Sequence, residues 1–198
     1  GLENGGIWTD ENDYLVRQGF ARHLLQVGYM DRIVGDMITR LEEQGLWEDA
    51  LVVVLSDHGV AFTPGENFRS PRADTVHEIY NIPLFIKYPG QTEGETSDVN
   101  ALNMDVLPTI VEALDIETEW EFDGQSLLGE GPDRDTKPTY WDVGPEEVPV
   151  DFDGVMEVVE RDHEYLPNGD DWLGVFGQGE YADLVGEELE DLDVRGDS

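Results

Sequence analysis

The chain contains no cysteine, which excludes disulfides and thiolate chemistry and leaves the redox compartment undetermined. Lysine is nearly as scarce: Lys87 and Lys137 are the only two in 198 residues. Bases number 11 against 46 acids, for a formal net charge of −35. Such a surface repels nucleic acid phosphates and anionic membranes, which excludes both as partners. No apolar run approaches the roughly 20 residues that a membrane-spanning helix needs, and the first residues carry no basic-then-apolar export signal. Any anchor or leader is expected upstream of Gly1. Acid excess with scarce lysine is the bias of proteins adapted to high salt, where counterions screen self-repulsion. A calcium-binding acidic surface is the alternative, but no Asp-x-Asp-x-Asp-Gly loop occurs.

What is present is enough apolar material for a core: 39% of residues are hydrophobic and 10% aromatic. The length fits one domain, or one compact piece of a larger one. The most informative stretch is Leu51-Val52-Val53-Val54-Leu55-Ser56-Asp57-His58-Gly59. An apolar, β-branched run bounded by a turn signal predicts a buried central strand. Such a strand delivers its last side chains to the carboxyl edge of an open α/β sheet, where ligands bind. Asp57 offers hard oxygen donors and His58 a borderline nitrogen, a pair suited to Zn, Mn or a similar divalent ion. Neighbours on a strand face opposite ways, so both reach one ion only if the strand has already broken there. Gly59 lets the backbone turn with no Cβ in the way. The plainer alternative is a solvated strand-to-loop corner.

Residues 1–9 are Gly-rich and read as loose. Asp10 or Asp13 is placed to cap a long helix and Gly45 to end it. Between them Leu24, Val27, Val34, Met37, Ile38 and Leu41 recur at helical spacing as a core-facing stripe. The short Gly45–Asp49 link sets helix and strand side by side. Ala61–Ile79 has no periodicity and reads as an irregular loop; Ile82–Tyr88 reads as a second strand closed by Pro89-Gly90, and Asp105–Leu114 as a helix with Pro108 near its start. From Glu117 through Pro149 the chain turns acidic and rich in Pro and Gly, and an extended segment is expected, with regular structure confined to Thr139–Val143. Val155–Glu160 and Trp172–Phe176, separated by Pro167-Asn168-Gly169, suggest a hairpin. Asp183–Asp193 is too acidic to pack. His77, in the loop before the second strand, can titrate near neutral pH and protonate a leaving group or contact the transferring one; an exposed loop histidine is the alternative. His23 reads as structural and His163 as solvated, while Trp47, Trp120 and Trp141 read as packing anchors.

Four segments carry a further signal. They are Tyr29–Gly35 running on to Gly45–Asp49; Val52–Gly59; Ile82–Gly90; and Asn103–Leu114 followed by Asp123–Leu127. In this order and over about half the chain, they resemble the C-terminal half of a sulfatase, within the alkaline phosphatase superfamily. The tail from Phe176 to Leu192 is similar to the ends of some bacterial membrane-anchored sulfatase-like proteins, which implies a parent facing outward from a membrane. The Gly-x-Gly in that tail lacks the βαβ context of a dinucleotide site and reads as a turn.

The resemblance implies an α/β fold: the C-terminal part of an alkaline-phosphatase-like three-layer sandwich with a mixed sheet. Residues 1–130 would form that portion, and 131–198 an acidic, mostly irregular extension packed on it. It implies that Asp57 and His58 bind one divalent ion, Ca, Mg or Mn, with Zn a further candidate because the phosphodiesterase branch uses two ions, Zn or Mn. Arg69 and Arg72 fall where the family often places a basic residue against sulfate, and the guanidinium fork suits such an anion. Pairing of one of them with Glu66 or Asp74 is the structural alternative. The family's nucleophile is a formylglycine made from Cys or Ser ahead of this region, and no Cys-x-Pro or Ser-x-Pro segment with a following Arg occurs here. The chain is therefore expected to be a fragment of a sulfuric or phosphoric ester hydrolase, contributing part of the metal site, inactive alone and partnered by the N-terminal half of the fold. The Asp-His pair leans toward the phosphonate hydrolase and phosphoglycerol transferase branch. A degenerate, non-catalytic binding module is the rival of another class.

Overall fold

The computed structural model describes residues 2–3, 6–8, 13–72, 75–141, 144–149 and 152–163. Two short strands, β1 (Leu2–Glu3) and β2 (Ile7–Trp8), pair antiparallel ahead of the long helix α1 (Asp13–Glu43). Within the segment expected to be loose, Leu2–Glu3 and Ile7–Trp8 are thus paired. Trp8 is 7% exposed, its indole N–H donates to the Ala61 carbonyl at 2.7 Å, and its ring lies 5.8 Å from that of Phe62. Phe20 meets the same phenyl ring edge-on at 5.1 Å, and Val16 completes the cluster. Burying each of these large apolar side chains contributes about 1.5–3 kcal/mol, which makes this the main core among the described residues.

Helix α1 stops where glycine predicts. The Leu46 N–H bonds the Leu41 carbonyl and the Gly45 N–H bonds the Glu42 carbonyl, with Gly45 at φ +65°. That pairing is a Schellman motif, which needs a left-handed residue that glycine adopts without strain. The expected apolar stripe is corrected along the helix: Val27 is 51% and Met37 40% exposed. The buried face lies nearer the start, at Val16, Phe20 and Ala21, because Trp8 and Phe62 pack there.

Strand β3 (Val52–Leu55) pairs antiparallel with β4 (Leu84–Lys87), Val52 opposite Lys87 and Leu55 opposite Leu84. Contrary to expectation, β3 is half-buried, and Leu55 at its end is 41% exposed. Among the described residues it has a partner on one edge, and every ladder is a two-stranded antiparallel one. The architecture is mixed α/β. Lys87 Nζ donates to the carbonyls of Trp47, of Glu48 at 2.8 Å and of Ala50 at 3.0 Å, stapling the turn that leads into β3.

Ala61–Ile79 is not an irregular surface loop. It holds a short helix, α2 (Val76–Tyr80), and buries Ala61, Phe62, Thr75, Val76, Glu78 and Ile79. The Glu78 carboxylate accepts the Phe62 N–H at 2.6 Å and the Thr63 hydroxyl at 3.2 Å, and pairs with Arg161 at 2.7 Å. A single 3-10 turn (Asn103–Asp105) leads into α3 (Val106–Ala113), as expected for that segment. Asp105 is fully buried and accepts from the Leu102 N–H at 2.7 Å, the Gln125 N–H at 2.9 Å and both terminal nitrogens of Arg134. Burial alone would push its carboxyl up, but the Arg134 hydrogen bonds and the two backbone donors hold it below the usual carboxylate range.

Beyond this lie β5 (Thr136–Trp141) and β6 (Gly144–Pro149), a ladder longer than the regular structure expected there. The run Val155–Glu160 belongs to helix α4 (Phe152–His163), not to a hairpin strand. Val155, Val158 and Val159 also fit the i, i+3, i+4 spacing of a helix face. Its proposed partner strand Trp172–Phe176, the acidic stretch Asp183–Asp193 and Asp74 lie outside the described residues. Trp120 is 70% exposed rather than a packing anchor; Trp47 is half-buried under the Lys87 ammonium, and the His23 ring leans on Phe62 at 5.4 Å.

Candidate functional site

The ladder ends at Leu55, and Ser56–Gly59 leave the sheet as a corner. Freed from strand geometry, the side chains of Asp57 and His58 turn toward each other. Asp57 Oδ1 accepts the His58 backbone N–H at 2.9 Å, and Oδ2 lies 3.8 Å from His58 Nε2. The other ring nitrogen, Nδ1, sits 2.7 Å from the Gly59 carbonyl oxygen. A carbonyl only accepts, so Nδ1 is the donor in this contact, which leaves Nε2, on the Asp57 side, as the nitrogen available to a ligand. This is how a metal-ligating imidazole is oriented, by a hydrogen bond on its far nitrogen. The Asp57 side chain is 87% exposed and that of His58 37%.

The corner is held from two sides. Gly59 donates its N–H to the Ile79 carbonyl at 2.8 Å, and a Cβ on Gly59 would overlap the Glu78 carbonyl oxygen. The glycine serves close backbone approach to α2 and is not in the left-handed region. On the other side Asn103 Nδ2 donates to the carbonyls of Ser56 at 3.3 Å and Asp57 at 3.1 Å. A cleft of about 370 Å³ opens beside Asn103, between Leu107 and the Trp120 and Phe122 rings.

The donor chemistry of Asp57 and His58 suits a divalent cation, but the pair supplies two ligands. Among the described residues no third His, Cys, Asp or Glu joins them. Four or more ligands are usual for zinc, manganese or calcium.

The other expected site residues lie apart from this pair. His77 stands on α2, and its ring fills the space above Gly154 of α4, where a Cβ would overlap it. Its Nδ1 is buried with no hydrogen-bond partner among the described residues. No described contact joins it to Asp57 or His58. Arg69 is exposed and stacks over Phe68 at 4.8 Å, while Arg72 Nε pairs with Glu66 at 3.2 Å. The surface pairing weighed for one of these arginines is thus the arrangement found for Arg72. Sequence reading missed the roles of Asn103 and of the Glu78–Arg161 pair. Asn103 stood in a segment already singled out, but nothing local announced its reach of 46 residues to Asp57.

An Asp-His corner at the carboxyl end of a strand, open to solvent and braced from behind, is the candidate site of this mixed α/β chain. The sulfatase family model matches residues 6–116, more than half of the sequence, and the chain belongs to that family. It is 34% identical over 146 residues to the multifunctional alkaline phosphatase superfamily protein PehA of Trinickia caryophylli, covering 71% of this chain and 27% of that protein. An ulvan-active sulfatase of Formosa agariphila is 24% identical over 159 residues, 78% of this chain and 25% of the relative. The lipoteichoic acid synthase-like YvgJ of Bacillus subtilis is 26% identical over 135 residues, 60% and 22%. The chain thus spans about a quarter of the length of these relatives. No solved structure matches it.

Proposed function

We propose that this chain contributes the Asp57–His58 part of a divalent-metal site to a hydrolase of sulfuric or phosphoric esters, whose nucleophile and remaining ligands lie outside the described residues. The observation that carries this reading is the 3.8 Å approach of Asp57 Oδ2 to His58 Nε2, with Nδ1 tied back to Gly59. A bound divalent ion supplies Lewis-acid polarisation of a sulfuryl or phosphoryl oxygen. Asp57 brings the negative charge that retains a cation, and His58 a ring nitrogen, Nε2, while Nδ1 is tied back to the Gly59 carbonyl. Arg69 is free to meet the anionic group of a substrate from the surface; Arg72 would first release Glu66. The tight set of carbonyl contacts behind the corner keeps both donors facing out. On this reading the chain alone turns over neither aryl sulfates nor phosphodiesters.

The likeness to PehA and to the lipoteichoic acid synthase-like protein supports a second reading, in which the ester is a phosphodiester. Rate comparison on an aryl sulfate and a bis-aryl phosphate, after combining the chain with the N-terminal half of the fold, decides between them. The direct test is Mn²⁺ titration by paramagnetic broadening of the His58 ring signals. Saturable broadening that Asp57→Ala abolishes supports the site. Indifference to Mn²⁺ and Ca²⁺, with Asp57→Ala melting like the parent, would establish instead a degenerate module that binds a partner. The acidic, lysine-poor surface supports adaptation to high salt. No helix among the described residues is long and apolar enough to cross a membrane.

A further inference from the structure

Ser56 and Asp57 lie just past the end of the ladder, so their carbonyls have no strand partner. Both are instead bonded by one side chain, the Asn103 amide, at 3.3 and 3.1 Å. The facing groups are two oxygens, so the nitrogen of the amide must point at them. Asn103 is exposed, but the turn that carries it is anchored. It opens the 3-10 turn that ends in Asp105, whose fully buried carboxylate is held by Leu102, Gln125 and Arg134.

We propose that Asn103 is the positioning residue of the Asp57–His58 corner; in its bearing on metal affinity the inference rests on the reading above. Fixing the carbonyls of Ser56 and Asp57 fixes the two peptide planes flanking the Asp57 Cα, and with them the direction of its side chain. The 3.8 Å approach of Oδ2 to Nε2 is then braced from outside the loop as well as by the Asp57 Oδ1 bond within it. Local contacts fix only part of this: the Asp57 Oδ1 bond to the His58 N–H restrains the peptide plane that carries the Asp57 carbonyl, and the Ser56 hydroxyl closes on the His58 carbonyl at 2.8 Å, but neither restrains the Ser56 carbonyl, which Asn103 holds. The geometry also explains why an amide is needed. A carboxylate of the same shape would set oxygen against oxygen, and an alkyl group would leave two carbonyls without their donor.

The test compares the 198-residue chain with Asn103→Asp and Asn103→Ala by amide NMR and Mn²⁺ broadening. Expected are large shifts of the Asp57, His58 and Gly59 amide signals, with the rest of the spectrum and the melting point of Asn103→Ala little changed. Mn²⁺ affinity should fall about 10- to 100-fold, the range for residues that orient a ligand. The Asp variant makes the sign decisive, because an added carboxylate near a cation would tighten binding by simple Coulomb attraction. Unchanged corner amides in both variants, or tighter Mn²⁺ binding by Asn103→Asp, would overturn the proposal. If the parent binds no Mn²⁺, the metal reading fails, and the corner amide shifts alone decide whether Asn103 positions the loop.

Discussion

Arg134 Nη2 lies 2.9 Å from Asp105 Oδ1, and its other terminal nitrogen bonds the second carboxylate oxygen, inside a chain that otherwise has little positive charge to spare. Replacing Arg134 by Leu leaves a fully buried carboxylate with its two backbone donors alone. The expected cost is about 3–5 kcal/mol, the range for breaking a buried pair from one side. Chemical denaturation of parent and variant measures it. The pH dependence follows from the sign of the Asp105 shift. Its folded pKa lies below the unfolded value of about 3.9. The stabilisation is therefore complete above that value and is lost as pH falls through the folded pKa. The stability gap between parent and Arg134→Leu should be constant near neutral pH and shrink below about pH 4.

Two glycines should respond to alanine with opposite signs. A Cβ on Gly59 meets the Glu78 carbonyl, and the backbone must shift to admit it, at about 1–3 kcal/mol. Gly35, inside α1, has open space around the same position, and there alanine should stabilise by about 0.5–1 kcal/mol through helix propensity. Denaturation midpoints of Gly59→Ala and Gly35→Ala that move together would refute the contrast.

Lys87→Arg should not be conservative. The lysine ammonium gathers three carbonyls around one point, and the flat guanidinium fork does not fit that arrangement. A loss of about 1–3 kcal/mol is expected, comparable to stranding a buried hydrogen-bonding group. Hydrogen exchange should quicken at the Gly90 amide, which bonds the Glu48 carbonyl of the same turn.

Salt should stabilise the protein. At a net charge of −35, self-repulsion opposes the compact state and weakens as the screening length falls from about 10 Å at 0.1 M to about 3 Å at 1 M salt. Melting temperature is expected to climb between 0.1 and 1 M KCl. A flat or falling curve would count against salt adaptation.

Elements whose causes are local were legible in the sequence. The apolar run predicted β3, Gly45 the end of α1, Pro89-Gly90 the turn after β4, and the Asp105–Leu114 pattern α3. What escaped depends on distant partners. Trp8 reads as part of a loose Gly-rich start until Phe62 and the Ala61 carbonyl meet it. Glu78 lies in a stretch without periodicity until Phe62, Thr63 and Arg161 converge on its carboxylate. Val155–Glu160 fits strand and helix patterns alike, and the helix is the form that lies along α2. At the candidate site, Asp57 and His58 were readable from residue type, and the break in the strand from the need for both to face one way. The role of Gly59 was only half readable: a turn was expected, whereas the structure uses the missing Cβ for contact with Glu78.

Both side-chain amines of the chain are already engaged, Lys87 with the turn before β3 and Lys137 with the Ala101 carbonyl at 2.6 Å. Amine-directed reagents such as succinimidyl esters therefore compete with these hydrogen bonds, and acylating Lys87 would pull out a staple of the fold. For crosslinking, labelling or immobilisation that leaves the fold undisturbed, its 46 carboxylates are the more abundant handle.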